Sequence, residues 1–365
     1  MSGLAFLPAP LPRDLSLSTN TWNAVNRATG ALARLDGTGQ LIPAPALLRR
    51  PTLRLEAQST SALEGTYAPF VDVLAADAED QRALSAEMRE VLNFETVAEM
   101  AFAWPEDRRV TVSMLGALQK RLVRGTASEL SDSGGIRDRF VVIGSPGQGL
   151  DNARFIPPPP GDQLRAGFEN LLGWVSSTPE FPAVVIAAMT HYQFETLHPF
   201  SDGNGRLGRL FVIVQLIRGW TIREPLLVVS PWFEARRQEY QDRLLDLSCT
   251  GDWDPWIRFF SEGVAESALE SRNKVERLLE IREQFVESVQ ASGKRGTAER
   301  LAADLIGTPF LTVRDVAERY DVSQPAARDA VLSLCKIGVL GTSELRAAYN
   351  AQLYVAREVL GVLRS

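Results

Sequence analysis

The chain contains 365 residues, of which 45% are hydrophobic and 23% charged, and it carries a formal net charge of −6. This composition is typical of a soluble globular protein large enough for two or three domains, and the negative charge gives no support to wholesale nucleic-acid binding. The two cysteines, Cys249 and Cys335, cannot form a disulfide framework and lack the spacing of a metal site, which favours a reducing compartment.

The sequence predicts an N-terminal helical region over residues 1–105. Its first residues contain prolines in their apolar part, which is not typical of a signal peptide. No apolar run in the chain is long enough to span a bilayer, so we expect a cytoplasmic protein without a membrane partner. The spacing of apolar residues predicts helices over 20–35, 53–63 and 75–103. Trp104 precedes a proline and should end the third helix.

The following stretch predicts a helix and then a hairpin. Residues 111–120 have helical spacing, and two short β-rich runs, 140–144 and 153–156, lie on either side of a glycine-rich turn. This pattern predicts a β-hairpin over about 137–157. The prolines at 157–160 should end the hairpin, because proline cannot donate to a ladder.

The loop over residues 198–209 lies between two predicted helices. The first helix starts near Pro182 and should end at or before His198, because a residue before proline avoids helical geometry. Asp202 and Asn204 are candidates to cap the start of the second helix.

The start of that second helix has the composition of an anion site. Unpaired backbone N–H groups and the helix dipole attract anions there. Gly203 and Gly205 lack side chains, so a phosphate can approach the backbone closely. Arg206 and Arg209 add forked donors that suit phosphate oxygens. The alternative is an ordinary glycine-rich loop whose arginines pair with surface acids.

Two further residues of the loop bring chemistry to this anion site. Asp202 offers a hard oxygen ligand, which is right for Mg²⁺ carried in by a nucleotide. His198 can accept a proton near neutral pH. An anion cradle, a metal ligand and a base in one loop predict phosphoryl or nucleotidyl transfer.

The loop resembles the signature of Fic-domain proteins at every defining position, which here read His198-Pro199-Phe200-x-Asp202-Gly203-Asn204-Gly205-Arg206-x-x-Arg209. Most members of that family are AMP-transferases, which move AMP from ATP to a hydroxyl side chain of a target protein. The resemblance implies a mainly α fold, with a Fic helical core over about 106–290 and a β-hairpin flap. It also implies ATP and Mg²⁺ as ligands, and a partner protein that presents a Ser, Thr or Tyr hydroxyl.

The resemblance assigns a role to each residue of the loop. His198 is the general base, and Asp202 holds Mg²⁺. The backbone of Gly203 to Gly205, together with Asn204, holds the α- and β-phosphates. Arg206 contacts the β-phosphate and Arg209 the γ-phosphate.

Residues 53–65 resemble the inhibitory helix of Fic proteins, a Ser or Thr followed after three residues by Glu-Gly. The matching positions are Thr60, Glu64 and Gly65. In the family this glutamate pairs with the last arginine of the loop, here Arg209, and so excludes the γ-phosphate. The alternative is that Glu64 is only the acidic end of a surface helix.

The predicted hairpin resembles the Fic flap, which pairs with the extended backbone of the target. Its matching residues are Val141, Val142, Ile143 and Gly144. The alternative is a surface hairpin with a structural role only.

The remaining core sequence predicts helices over 164–175, 231–247 and 253–289, the last part of which we expect to be a solvated connector. His191 matches a recurrent family position. We nevertheless expect it to be a structural histidine that bonds locally inside a buried helix.

Residues 297–365 differ in character from the core, and 291–296 are the predicted boundary. Thr312 and Asp315 predict a capped helix, and the helix and glycine-rich turn that follow resemble a winged helix-turn-helix. DNA binding is possible but not favoured, because this tail holds equal numbers of basic and acidic residues. A module for protein docking or homodimer formation is the preferred interpretation.

Three alternatives to AMP transfer remain open at this point. The same site could remove AMP from a modified target by using water, with Glu64 to orient it. It could transfer a different part of a nucleotide-containing substrate. The chain could also be a transcription regulator whose Fic module only senses nucleotide.

Overall fold

The protein is described by a computed structural model over residues 5–78, 84–105, 107–144, 153–177, 179–347 and 350–365. Across these residues it is mainly helical, as the sequence predicts. The helices are α1 (Thr19–Gly39), α2 (Ala46–Leu63), α3 (Phe70–Ala75), α4 (Ala86–Phe102), α5 (Val112–Val123), α6 (Asp162–Ser176), α7 (Ala183–Leu197), α8 (Asn204–Arg218), α9 (Ser230–Ala235), α10 (Arg237–Thr250), α11 (Trp253–Ala291), α12 (Thr297–Asp304), α13 (Val313–Tyr320), α14 (Gln324–Lys336) and α15 (Arg357–Arg364).

Helices α7 and α8 form the centre of the core. Twelve of the 15 residues in each helix are buried, on every side of the helix axis. A helix that is enclosed all round belongs to the interior of a protein and is held rigidly. The loop that joins these two helices, residues 198–203, is therefore fixed at both ends.

The long helix α11 packs along α1 and corrects one prediction. The two helices run side by side in the same direction, since the backbone N–H of Ser18 bonds Asp254 and the side chain of Arg27 reaches Glu262. The second half of α11 is not a solvated connector, because Val275, Leu278, Ile281, Phe285 and Val289 are buried on one face. This amphipathic face packs against α12 and α15 of the tail.

Helix α2 is longer than predicted, because it begins at Ala46 and continues through Pro51. Proline lacks the N–H that would bond the carbonyl of Leu47 within the helix. That carbonyl faces Gly307 of the tail so closely that a Cβ on this glycine would lie 2.3 Å from the Leu47 oxygen. The end of α2 was predicted correctly, with Gly65 in a positive-φ conformation just beyond it.

Two other predicted helices are divided. The stretch 75–103 contains the end of α3, a single 3₁₀ turn at Ala76–Ala78, and α4, which starts after the capping side chain of Ser85. Residues 79–83 of this stretch lie outside the described residues. The stretch 231–247 forms α9 and α10, which are separated at Arg236.

Among the described residues, the predicted hairpin forms one backbone pair. The N–H and C=O of Ile143 bond the C=O and N–H of Phe155 at 2.9 and 3.0 Å, in antiparallel fashion. Neither β-rich run is a regular strand, because the next hydrogen-bonding position would pair Val141 with Pro157, which has no N–H to donate. The carbonyl of Ile156 faces the other side and accepts from the N–H of Phe6. The turn residues 145–152 lie outside the described residues.

The tail contains α12 to α14 and a three-stranded antiparallel sheet. Its strands, in the spatial order β1-β3-β2, are β1 (Phe310–Leu311), β2 (Gly341–Arg346) and β3 (Gln352–Val355). The capping box of Thr312 and Asp315 is confirmed, since each side chain bonds the other's backbone N–H. Two helices followed by a strand pair are the elements that a winged helix-turn-helix requires, and that identification stays a prediction.

Glu56 fixes α2 to the core, and its removal should destabilise the protein. Its carboxylate accepts from the backbone N–H groups of Val229 and Ser230 at 2.8 and 3.0 Å, and from the Ser230 hydroxyl. Because an unsatisfied buried donor costs about 1–3 kcal/mol, Glu56→Ala should lower the free energy of unfolding by about 3 kcal/mol or more. Urea denaturation tests this expectation. A loss below about 1 kcal/mol, the net value of one ordinary hydrogen bond, would contradict it.

Candidate active site

His198 ends α7 in a left-handed conformation, with φ 47° and ψ 60°. The buried guanidinium of Arg137 holds this turn, because its Nε donates to the carbonyl of His198 at 2.8 Å and its Nη2 to that of Pro158 at 2.6 Å. The backbone N–H of Arg137 also donates to the carbonyl of Pro199 at 2.9 Å. Strained backbone of this kind persists only where neighbouring groups fix it, and it is concentrated at functional sites. Sequence reasoning did not single out Arg137, whose partners His198 and Pro199 lie about sixty residues away.

The start of α8 differs from the predicted capping arrangement. The N-cap is Gly203, at φ 78°, and no side chain caps the helix. Asn204 instead bonds both backbone groups of Phe200, with its amide nitrogen 2.7 Å from the carbonyl and its oxygen 2.9 Å from the N–H. Asp202 accepts from the N–H of Gly203. Because these side chains secure the turn itself, the first N–H groups of the helix are left without a side-chain cap.

Arg206 lies between two carboxylates. Its Nη1 is 3.0 Å from Glu90 Oε2, and its Nη2 is 3.1 Å from Asp202 Oδ1. The Arg206 side chain is only 2% exposed, whereas that of Asp202 is 43% exposed. Asp202 therefore has a solvent-facing part, while Arg206 is enclosed.

Arg209 is bound to the end of α2, as the resemblance implied. Its Nε donates to the Thr60 hydroxyl at 2.6 Å, and its Nη2 to the Thr60 carbonyl at 3.1 Å and to Glu64 Oε1 at 2.7 Å. Arg209 is 2% exposed and the Glu64 side chain 40% exposed. The carboxylate thus reaches a buried arginine from the open side of the site.

The Glu64 carboxylate also lies directly over Gly205, near the start of α8. A Cβ on Gly205 would lie 2.0 Å from Glu64 Oε1 and 3.1 Å from Arg209 Nη1. Only a glycine leaves room for an anionic group at this point of the helix start. Here that group is the protein's own carboxylate.

The electrostatics keep this carboxylate ionised and the nearby histidine neutral. Desolvation would raise the pKa of Glu64, but the charge and hydrogen bond of Arg209 outweigh it, so the pKa lies below its usual value. Burial lowers the pKa of His198 to about 4, even though the Glu64 carboxylate favours its charged form. Nδ1 of His198 is enclosed, which leaves Nε2 as the nitrogen able to meet a reactant.

Sequence reasoning missed two buried groups beside Arg209. Burial raises the pKa of Glu195 to about 8, and its carboxylate packs so closely that a Cβ on Gly208 would lie 2.4 Å from it. Tyr240 bonds Nε2 of His191 at 2.7 Å. Glu195 precedes the histidine of the loop by one helical turn, which is the only signal that could have drawn attention to it.

His191 does not bond locally, because its partner Tyr240 lies 49 residues away on α10. Burial lowers the pKa of His191 to about 3, so it is neutral at neutral pH. Its ring lies among those of Phe233, Trp256 and Phe260, with centroids 6.0 to 6.4 Å away. These contacts agree with the expected structural role.

The flap has a first arm, residues 140–144, and a second arm, residues 153–156. The four predicted flap residues lie on the first arm. Ile143 forms the single backbone pair, Val142 is 39% exposed, and Val141 and Gly144 lie beside them. On the far side of the second arm, the N-terminal segment contributes a further contact. The N–H of Phe6 donates to the carbonyl of Ile156 at 2.8 Å. The second arm is therefore enclosed between the first arm and the N-terminal segment.

Thr60 should contribute measurably to this site. Thr60→Val keeps the shape of the side chain but leaves Nε of the buried Arg209 without its 2.6 Å acceptor. Because such a donor costs about 1–3 kcal/mol, the free energy of unfolding should fall by that amount in urea denaturation. Thr60→Ser retains a hydroxyl and is the matched control. Equal losses in the two variants would contradict the role given to the hydroxyl.

The fold and the loop define a mainly helical protein of the Fic type. A Fic family protein from Desulfovibrio desulfuricans G20 has a TM-score of 0.62 and 21% identity, over 95% of this chain and 98% of that one. The Fic-1 fragment from C. elegans has a TM-score of 0.55 and 20% identity, over 71% of this chain and 73% of that one. Identities this low establish the likeness of fold alone.

Two family models place the chain more specifically. The model described as Fic/DOC family N-terminal matches residues 22–103, and the model described as Fic/DOC family matches residues 109–216. Together they cover more than half of the sequence, and the chain belongs to the Fic/DOC family.

Curated relatives match part of the chain. Protein adenylyltransferase Fic from Culex quinquefasciatus is 37% identical over 111 residues, and that from Drosophila melanogaster is 36% identical over 109 residues. Each alignment covers 29% of this chain and 20% of the relative. The match therefore spans about a fifth of the length of these relatives. Among the described residues, no helix is long and apolar enough to cross a membrane.

Proposed function

We propose that this protein is an adenylyltransferase that moves AMP from ATP to a Ser, Thr or Tyr hydroxyl of a target protein, and that Glu64 restrains the reaction. The observation that carries this proposal is the loop between α7 and α8. This loop and the start of α8 bring together a half-buried histidine that is neutral at neutral pH, a helix N-terminus without a side-chain cap, and two buried arginines. Membership of the Fic/DOC family and relatives named protein adenylyltransferase support it.

The phosphates of ATP are proposed to lie along the start of α8. The N–H groups of Gly203 to Gly205, with Asn204, face the α- and β-phosphates, where the helix dipole adds favourable charge. Arg206 faces the β-phosphate and Arg209 the γ-phosphate. Both arginines are buried, with Arg206 held by Glu90 and Arg209 by Thr60, so they are oriented before the nucleotide arrives. Such prior orientation is how charge stabilisation becomes effective in catalysis.

Asp202 suits a magnesium ion that arrives with the nucleotide. Among the described residues no group of three His, Cys, Asp or Glu side chains could hold a metal alone. Mg²⁺ commonly takes one or two protein carboxylates and fills its other positions with phosphate and water oxygens. The side chain of Asp202 is 43% exposed next to the helix start, which fits that donor set. Bound there, Mg²⁺ would neutralise phosphate charge.

His198 is proposed as the general base. The target hydroxyl oxygen forms a bond to the α-phosphorus, the bond from that phosphorus to the oxygen bridging to the β-phosphate breaks, and pyrophosphate leaves. Nε2 of His198 takes the hydroxyl proton, since Nδ1 is enclosed by the protein. The depressed pKa keeps the imidazole neutral and able to accept it.

The target is proposed to pair with the first arm of the flap. In an antiparallel pair, successive residues direct their backbone groups to opposite sides. Ile143 faces the second arm, so Val142 and Gly144 face outward. The N-terminal segment already pairs with Ile156 on the other side. The outward edge of the first arm is therefore the one available for strand addition.

The domain limits follow from this assignment as part of the proposal: an N-terminal region over 1–105 with the inhibitory helix, a catalytic core over 106–290 and a tail over 297–365. The tail is proposed to dock a partner protein or a second copy of the chain. Its equal numbers of basic and acidic residues do not favour binding to DNA phosphates.

Incubation with ATP labelled at the α-phosphate, followed by intact-mass analysis, tests the reaction. The full-length Glu64→Gly chain, with cell lysate supplied as target, should gain label and the mass of AMP. ATP labelled at the γ-phosphate is the matched control and should transfer nothing. Label from the γ-phosphate alone would show a kinase reaction and overturn the proposal.

AMP removal is the second candidate, because one observation favours it. The Glu64 carboxylate lies beside Gly205 and close enough to His198 to favour its protonated form. In that position a carboxylate can orient a water molecule toward an AMP ester. Release of AMP from a modified protein by the wild-type chain, but not by Glu64→Gly, would support this candidate.

A further inference from the structure

Glu90 makes contacts that the proposed reaction does not use. Its Oε2 accepts from Arg206 Nη1 and from the hydroxyl of Thr66, each at 3.0 Å. The side chain of Glu90 is 11% exposed and that of Arg206 is 2% exposed, so the pair is enclosed. An enclosed, charge-assisted pair has a better defined geometry than an ion pair at the surface.

This pair fixes the direction of Arg206. The guanidinium is planar, with donors in a rigid fork. Glu90 binds one amino group, and Asp202 binds the other at 3.1 Å. Glu90 lies within α4 and Asp202 in the loop itself, so the plane of Arg206 is held from two elements.

Glu90 and Glu64 hold the two arginines in different ways. Glu64 lies just beyond the end of α2, is 40% exposed, and occupies the space over Gly205. Glu90 lies inside a helix and approaches Arg206 from the protein interior. The position of Glu64 on the open side of the site suits a block, and the enclosed position of Glu90 suits a support.

We propose that Glu90 is a positioning residue that directs Arg206 toward the β-phosphate of a bound nucleoside di- or triphosphate. The inference rests on the proposed function, which gives Arg206 that phosphate. AMP has no β-phosphate, so ADP and AMP distinguish this role from a general effect on the fold.

Calorimetric titration of ADP and of AMP in magnesium-free buffer tests the assignment. It compares full-length Glu64→Gly with Glu64→Gly/Glu90→Gln, which keeps the side-chain size but removes its charge. We expect ADP to bind about tenfold more weakly to the double variant, equivalent to about 1.4 kcal/mol, and AMP to bind as before. Glu95→Gln in the same background is the matched control. It removes a carboxylate of the same helix that pairs with Arg54 at 2.8 Å, away from the loop, and should change neither affinity.

Equal losses for ADP and AMP, or an unchanged ADP affinity, would overturn the positioning role. If Glu64→Gly itself binds neither nucleotide, the proposed function fails and this assignment fails with it. If Glu90→Gln does not fold, Thr66→Val removes one of the two donors to Glu90 and should cause a smaller loss confined to ADP. An unchanged ADP affinity in that variant would overturn the assignment.

Discussion

Glu64→Gly should transfer AMP about tenfold to a hundredfold faster than the wild-type chain, since a hydrogen bond to a charged group contributes about 1.5–3 kcal/mol. The glutamate bonds Nη2 of Arg209 at 2.7 Å and lies over Gly205. In the proposed function it therefore takes both the donor and the space assigned to the γ-phosphate. Its pKa is lowered by Arg209, so it is negatively charged at neutral pH and repels phosphate. Initial rates of incorporation from ATP labelled at the α-phosphate measure the change.

Glu64→Gln is the matched control for this prediction, because it keeps the size of the side chain but removes its charge. A rate between those of the wild type and Glu64→Gly would separate electrostatic repulsion from occupied space. A wild-type chain already as fast as Glu64→Gly would contradict the restraint and leave the pair with Arg209 as a structural contact only.

The loop could be predicted from sequence because its chemistry is contained in neighbouring residues. His198, Asp202 and Arg209 lie within one turn and the start of one helix, so their order along the chain already places them together. The end of α2 was predicted for a related reason, since Gly65 marks a helix stop through its own backbone freedom.

The supporting acids could not be predicted in this way, because their partners lie far along the chain. Glu90 and Arg206 are 116 residues apart, and Glu56 lies 174 residues from Ser230. In the sequence each appears as an ordinary acid on an amphipathic helix. Only tertiary packing brings a buried donor to it and so gives it a role.

Breaks in secondary structure were also difficult to predict. The predicted helix starts at residue 53, but α2 begins at Ala46 and continues through Pro51. The Leu47 carbonyl, which Pro51 cannot bond, faces Gly307 of the tail. The two β-rich runs form a single backbone pair among the described residues, because the next pairing position holds Pro157, which has no N–H to donate. In both places the effect of a proline depends on where the folded backbone places it, which the local sequence pattern does not give.

His198→Ala in the Glu64→Gly background should lower AMP transfer by a factor of about 10² to 10⁴, which is the usual contribution of a general base. ATP should still bind, because the phosphate-binding groups belong to α8. Transfer assays and calorimetric titration with ATP measure the two effects. His198→Asn is the matched control for the backbone, since asparagine adopts the left-handed conformation of this residue far more readily than alanine.

If only the alanine variant were inactive, the role of His198 would be to shape the turn, and the assignment as base would be wrong. The pH dependence gives an independent test, since kcat/KM reports the free enzyme. Burial lowers the pKa of His198 to about 4, and loss of Glu64 removes a charge that raises it. The base should therefore stay neutral, and kcat/KM nearly constant, from about pH 7.5 to 5.5, where an unperturbed histidine of pKa about 6.5 would lose about tenfold. A tenfold fall over that range would place the imidazole in water rather than in the enclosed position between α7 and α8.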